Sequence, residues 1–333
     1  VKPDDRIGIT ATVPTEVALA AGRTLVDLNN VLIRSPDPDR AVREAELAGF
    51  PRNSCAWIKG IYATARRLGI TEVVGVSRGD CSNTEALLEV LADDGLEAVP
   101  FAYPENRRPE ELGRILAGFA VALGTTLSEA ERWRERLTPV REDLARLDGL
   151  VVAGKRRDAA YIELALSASD WGGDLDGYAD GLERELSSGD EPPPAAVRLA
   201  YLGVPPVFTD LWERTAELGA AVVFAEIPRQ FTMPRRGENL VEQYLAYTYP
   251  YGMAFRLGDA LPEIGRRRVD GVVHYVQSFC FRQIEDILLR RRLGGVPVLT
   301  LEGDRPGPLS ARDLLRLESF VETLMLGKPG GGL

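Results

Sequence analysis

The sequence predicts an α/β protein with two Rossmann-like (flavodoxin-like) parallel-sheet domains and a helical connecting region. Three observations predict it. Short β-rich runs alternate with helical patterns toward both ends of the chain. Between Pro109 and about Leu186 the periodicity is helical, with few β signals. "SSGDEPPPAA", from Ser187 to Ala196, is polar and Pro-rich, as linkers are. Length agrees, because 333 residues exceed what one hydrophobic core usually covers.

The elements follow in order. "RIGIT" (Arg6 to Thr10) is a short strand, and "CAWIKGIYATARRLG" (Cys55 to Gly69) is an amphipathic helix. "EVVGVS" (Glu72 to Ser77) and "EAVPFAY" (Glu97 to Tyr103) are buried strands, which completes a first α/β domain over residues 1–108. "PEELGRILAGFAVALG" and "TLSEAERWRERLTPVREDLARLDGLV" open the helical region and linker, residues 109–190. A second α/β domain, residues 191–326, begins with the strand "AVRLAYLGVP" (Ala196 to Pro205). Three further strands are "AAVVFAEI" (Ala220 to Ile227), "DGVVHYVQSFC" (Asp270 to Cys280) and "VPVLTLEGD" (Val296 to Asp304). "SARDLLRLESFVETLML" is a closing helix with Ser310 as N-cap and Asp313 in capping-box position. The Gly-rich tail, residues 327–333, is predicted to be disordered.

Composition narrows the function classes. Hydrophobic residues make up 45% and charged residues 27%, as in a soluble globular protein. A net charge of −10 argues against non-specific nucleic-acid binding but leaves room for an anionic ligand in a local basic pocket. The apolar run around Leu116 to Leu123 is too short to span a bilayer, and "VKPDDRIGIT" holds no signal-peptide core. The expectation is a cytoplasmic protein with no membrane partner. Walker and G-x-G-x-x-G nucleotide motifs are absent. A single histidine, His274, rules against a Ser-His-Asp triad or a His-based zinc site; it is a core residue or a proton donor.

The three cysteines carry the remaining signal. An odd number in a cytosolic setting argues against a disulfide framework. Cys55 sits at a helix start, Cys81 follows the strand "EVVGVS" through "RGD", and Cys280 ends "VVHYVQSF". Such places line the ligand crevice of a parallel α/β sheet, and a helix N-terminus favours a thiolate. No C-x-x-C pair is present, so position alone leaves two readings: one shared site, or three small buried hydrophobes. Arg52, Lys59, Arg78 and Arg282 lie within a few positions of a cysteine, where cations would offset thiolate charge.

"GFPRNSCAWIKG", "VVGVSRGDCSNTEALLEVL", "DGVVHYVQSFCFRQIED" and "VPVLTLEGDRPGPLSARDLLRLESFVETL" together resemble the 2-hydroxyacyl-CoA dehydratase and benzoyl-CoA reductase family, in particular the dehydratase D-component. The resemblance covers most of the chain. It implies a 4Fe–4S cluster on Cys55, Cys81 and Cys280, with three thiolates leaving one iron open. It also implies one-electron, ketyl-radical dehydration of an acyl-CoA. The implied partners are an ATP-hydrolysing iron–sulfur activator and either a homologous second subunit or a second copy of the chain. Relatives with a double-cubane cluster need about twice as many cysteines, which this chain lacks. The alternatives are a homodimeric ATP-dependent reductase of a small substrate or acyl-CoA, or a non-catalytic module that binds ligands or carries electrons. Ser54 and Ser278, near cluster cysteines, and His274 are the candidate catalytic residues; Asp80, Glu226 and Glu302 at strand ends are weaker proton carriers.

Overall fold

The computed structural model describes residues 5–328. The predicted fold class holds: there are two separate four-stranded sheets, each wholly parallel. The first has the order β2-β1-β3-β4, with β1 Arg6–Ile9, β2 Thr24–Asp27, β3 Glu72–Arg78 and β4 Glu97–Ala102. The second has the order β6-β5-β7-β8, with β5 Val197–Gly203, β6 Ala220–Ala225, β7 Gly271–Gln277 and β8 Val298–Gly303. Ile9 of β1 stands opposite Asp27 on one side and Val74 on the other. All seven residues of β7 are buried, as expected of an inner strand covered on both faces.

The two halves repeat one winding scheme. In each, a single helix joins the first two strands: Thr15–Ala20 and Leu211–Glu217. Three helices then lead to the third strand, the last of them Ala56–Leu68 before β3 and Met253–Arg266 before β7. A long helix follows each fourth strand: Pro109–Ala122 and Ala311–Leu326. The sequence shows no such relation, because the repeat lies in the order of elements and not in the residues.

The region between the halves is helical, as expected: Leu127–Val152, Asp158–Ser167 and Leu175–Ser187. It ties the molecule together through a buried polar junction. Arg141 of the long helix pairs with Glu16 at 2.7 Å and donates to Gln243 at 3.0 Å. Gln243 and Tyr244 in turn donate to Glu16 at 2.7 and 2.8 Å. Burial pushes the Glu16 carboxyl up, but Arg141 and these bonds hold it below the usual range. Residues Ile227, Phe231, Leu240 and Tyr244 of the second half pack into the core of the first sheet. Arg305, in the loop after β8, reaches back to Asp39 at 2.6 Å and Glu46 at 2.9 Å on the helix Pro38–Leu47.

Local rules account for the ends of elements. Cys55 is the N-cap of Ala56–Leu68, and Gly69 closes that helix in the left-handed region at φ 63°. The Ser310 hydroxyl accepts from the Asp313 amide at 3.1 Å, as the capping-box pattern predicts. β2 is absent from the sequence reading; "TLVD" is four residues at a sheet edge, too short for a pattern. The predicted disorder of the tail concerns residues 327–333, of which 329–333 lie outside the described residues. No helix among the described residues is long and apolar enough to cross a membrane.

Candidate metal centre

A parallel sheet of this winding opens a crevice at the carboxyl ends of its inner strands. Here the two crevices share one cavity of about 220 Å³, lined by residues that follow β1, β2, β3, β5 and β7. Cys55, Cys81 and Cys280 all line it. Cys81 and Cys280 stand at corresponding places in the repeat, three residues past Arg78 at the end of β3 and past Gln277 at the end of β7. Cys55 comes from the helix start before β3.

Each sulfur meets backbone N–H groups: those of Trp57 and Ile58 for Cys55, Asn83 for Cys81 and Arg282 for Cys280. Burial dominates nonetheless. It pushes the Cys55 thiol up to about 12 and Cys81 to about 11, and raises Cys280 as well. The thiols thus stay protonated at neutral pH even though the Arg282 guanidinium pulls Cys81 and Cys280 down, whereas a coordinated metal would deprotonate them outright. Among the described residues no group of three Cys, His, Asp or Glu side chains is close enough to hold a single metal ion. A cluster asks for less crowding, because each thiolate binds a different iron. The donor set and its N–H contacts fit such a group.

Two other groups sit beside the thiols. Asp80, next to Cys81, accepts a hydrogen bond from the Tyr249 hydroxyl at 2.7 Å. Desolvation raises its carboxyl, while Tyr249 and Arg282 pull it down. Arg282, next but one to Cys280, is 8% exposed, donates to the Tyr249 carbonyl at 3.2 Å and lies 5.3 Å from the centres of the Tyr249 and Phe281 rings. Farther round the wall is Asp27 at the end of β2, which accepts from Ser169 at 2.6 Å and from the Asn29 amide at 2.9 Å. Its backbone N–H donates to Asp170 at 2.7 Å. Burial pushes both carboxyls of this pair up, and the Asp27 charge raises Asp170 further.

Residues 151–324, just over half of the 333-residue chain, match the family described as 2-hydroxyglutaryl-CoA dehydratase, D-component. The chain belongs to that family. Membership points to a dehydratase-type enzyme subunit. No curated protein matches the chain at a significant level. Of the three cysteines of this dehydratase D-component chain, only Cys280 falls within the matched stretch; Cys55 and Cys81 join it through the fold.

The other sequence candidates sit elsewhere. Ser54 donates to the Pro51 carbonyl at 2.7 Å and closes a turn. Ser278 donates to Glu302 at 2.8 Å, and His274 is buried within β7 in a 2.8 Å hydrogen bond with Asp286. None of these, nor Glu226, is among the residues that line the cavity. Glu226 is instead locked to Arg256 at 2.6 Å. Lys59, one of the cations expected to offset thiolate charge, is 2% exposed and pairs instead with Glu46 at 2.8 Å; the hydrophobic face of its helix carries it inward. Arg52 and Arg78 are exposed. Asp27 and the two cavity tryptophans, Trp57 and Trp212, are what the sequence reading missed. Asp27 closes a strand that has no visible pattern, and a tryptophan carries no positional signal.

Proposed function

We propose that this chain is the iron–sulfur subunit of a 2-hydroxyacyl-CoA dehydratase-type enzyme. It holds a 4Fe–4S cluster through Cys55, Cys81 and Cys280 and is activated by a separate ATP-hydrolysing iron–sulfur protein. The reading is carried by one observation: the chain's only three cysteines, from three separate segments, line one cavity. When bound, the cluster supplies a low-potential electron to the thioester carbonyl, the one-electron route to losing the 2-hydroxyl.

The chain's own residues do the rest. The N–H groups at the cysteines steady the thiolate charge, and Arg282 offsets it. Asp80, with Tyr249 donating to it, is the acid–base group beside the site. Walls from Ile58, Ile61, Phe208 and Phe231 exclude water, which a radical intermediate requires. Arg52 and Arg78 form a cationic rim on which an activator docks, where charge mainly guides encounter.

Anaerobic purification with iron and sulfide analysis tests the reading, with EPR recorded after reduction. About four irons and four sulfides per chain are expected, as for one cubane. Each single Cys→Ala exchange should lower that content. Reconstituted protein with three free thiols and only trace iron would overturn the proposal.

A further inference from the structure

The cavity that holds the cysteines also has a wall with a definite chemical character. From the first half, Trp57, Ile58 and Ile61 face it on the helix Ala56–Leu68. From the second half come Pro205 and Pro206 after β5, then Phe208 and Trp212. Trp212 is fixed edge-on against Tyr201, ring centres 4.9 Å apart. At about 220 Å³ the cavity is smaller than the roughly 300–1,000 Å³ of sites that enclose a whole cofactor-sized ligand. It therefore takes the acyl end of a thioester and leaves the carrier outside.

The charges around that wall oppose an anionic acyl group. Three carboxyl residues line the cavity, Asp27, Asp80 and Glu163, against two arginines. Both arginines are already engaged. Arg34 bonds to the Ser167 hydroxyl and the Glu163 carbonyl, and Arg282 bonds to the Tyr249 carbonyl and lies 3.5 Å from Glu285. A carboxylate on the substrate would be desolvated among three acids, while Arg34 and Arg282 already donate to protein oxygens.

We propose that this cavity selects an uncharged, apolar acyl group, aryl or branched alkyl, and rejects the dicarboxylic acyl group in the family's description. The proposal deepens the reading of the previous subsection and rests on its acyl-CoA part. Trp57, Phe208 and Trp212 are the specificity-determining residues, because they put flat apolar surface on the wall from both halves.

The test is a binding titration read by tryptophan fluorescence, since two of the four tryptophans line the cavity. The probes are phenylpropionyl-CoA and glutaryl-CoA, which lack the hydroxyl and so cannot be dehydrated. The native chain should bind the phenyl thioester tighter by about tenfold or more, the size of discrimination an apolar pocket gives. Ile33→Arg, which adds a cation to the cavity lining, should narrow or reverse that ratio, with a thermal melt to show that the variant is folded. Equal or tighter binding of glutaryl-CoA by the native chain overturns the proposal, and so does failure of both thioesters to bind. In the latter case a full iron and sulfide content would keep the cluster part of the functional reading standing. Selective phenyl binding by a chain without iron would sink the cluster and leave this inference intact.

Discussion

Asp27 shows how much a single side chain can gain from where the fold puts it. Its sequence context, "TLVD", says nothing of chemistry, yet the strand end places it on the cavity wall with Asp170 as neighbour. Because burial raises both carboxyls and the Asp27 charge adds to the rise at Asp170, the folded chain keeps a proton that the unfolded chain has released. Stability is then full below the ordinary aspartate value of about 3.9 and falls as pH rises through the raised value, about 6 for Asp170. Asp27→Asn leaves one charge at this place and can still bond to Ser169. It should flatten that fall, so that thermal midpoints of the metal-free variant change less than those of the native chain between about pH 4 and 7. Glu16 carries the opposite sign, since its partners hold it low. Glu16→Gln leaves Arg141 buried without a counter-charge and should cost about 3–5 kcal/mol in urea unfolding.

At the scale of elements, the long buried strands and capped helices were legible because local rules decide them. β3, β5 and β7 are apolar-rich runs buried along most of their length, while β8 alternates at a sheet edge. β4, expected as a buried strand, lies at the other sheet's edge and buries only Phe101. The Ser310 cap sits where the capping-box spacing puts it. Ser310→Ala should cost about 1 kcal/mol. Placement of the cysteines at strand exits and at a helix start left two readings open, and the resemblance implied a shared site; all three line the cavity. β2 was not legible, being held by pairing with β1 and not by its own pattern. Nor was the burial of Lys59, which depends on Glu46 lying across from it. Tyr247 and Tyr249 are both buried in the core, and Tyr249 also lines the cavity. Gly203 is a further element-level requirement. It ends β5 at φ 105°, and a methyl group there would sit 2.2 Å from the Tyr275 carbonyl oxygen. Gly203→Ala should lose about 2–4 kcal/mol of stability by chemical denaturation, from strain and overpacking together.

Across the whole molecule, Arg305 is the polar tie that spans from the loop after β8 to the helix Pro38–Leu47. Arg305→Ala should speed amide exchange in residues 38–47 while leaving β7 protected, measured by hydrogen–deuterium exchange. The repeated winding has its own consequence. In the first half, two positions carry thiols: the start of the helix before the third strand, at Cys55, and the loop beyond that strand, at Cys81. The second half keeps the latter at Cys280, but the counterpart of Cys55, the N-cap of Met253–Arg266, is Gly252. Gly252 is exposed and is not among the residues that line the cavity, so the two halves serve the site unequally, the first with two thiols and the second with one. On the proposed reading, three thiolates set against the four metals of a cubane leave one metal atom for the substrate.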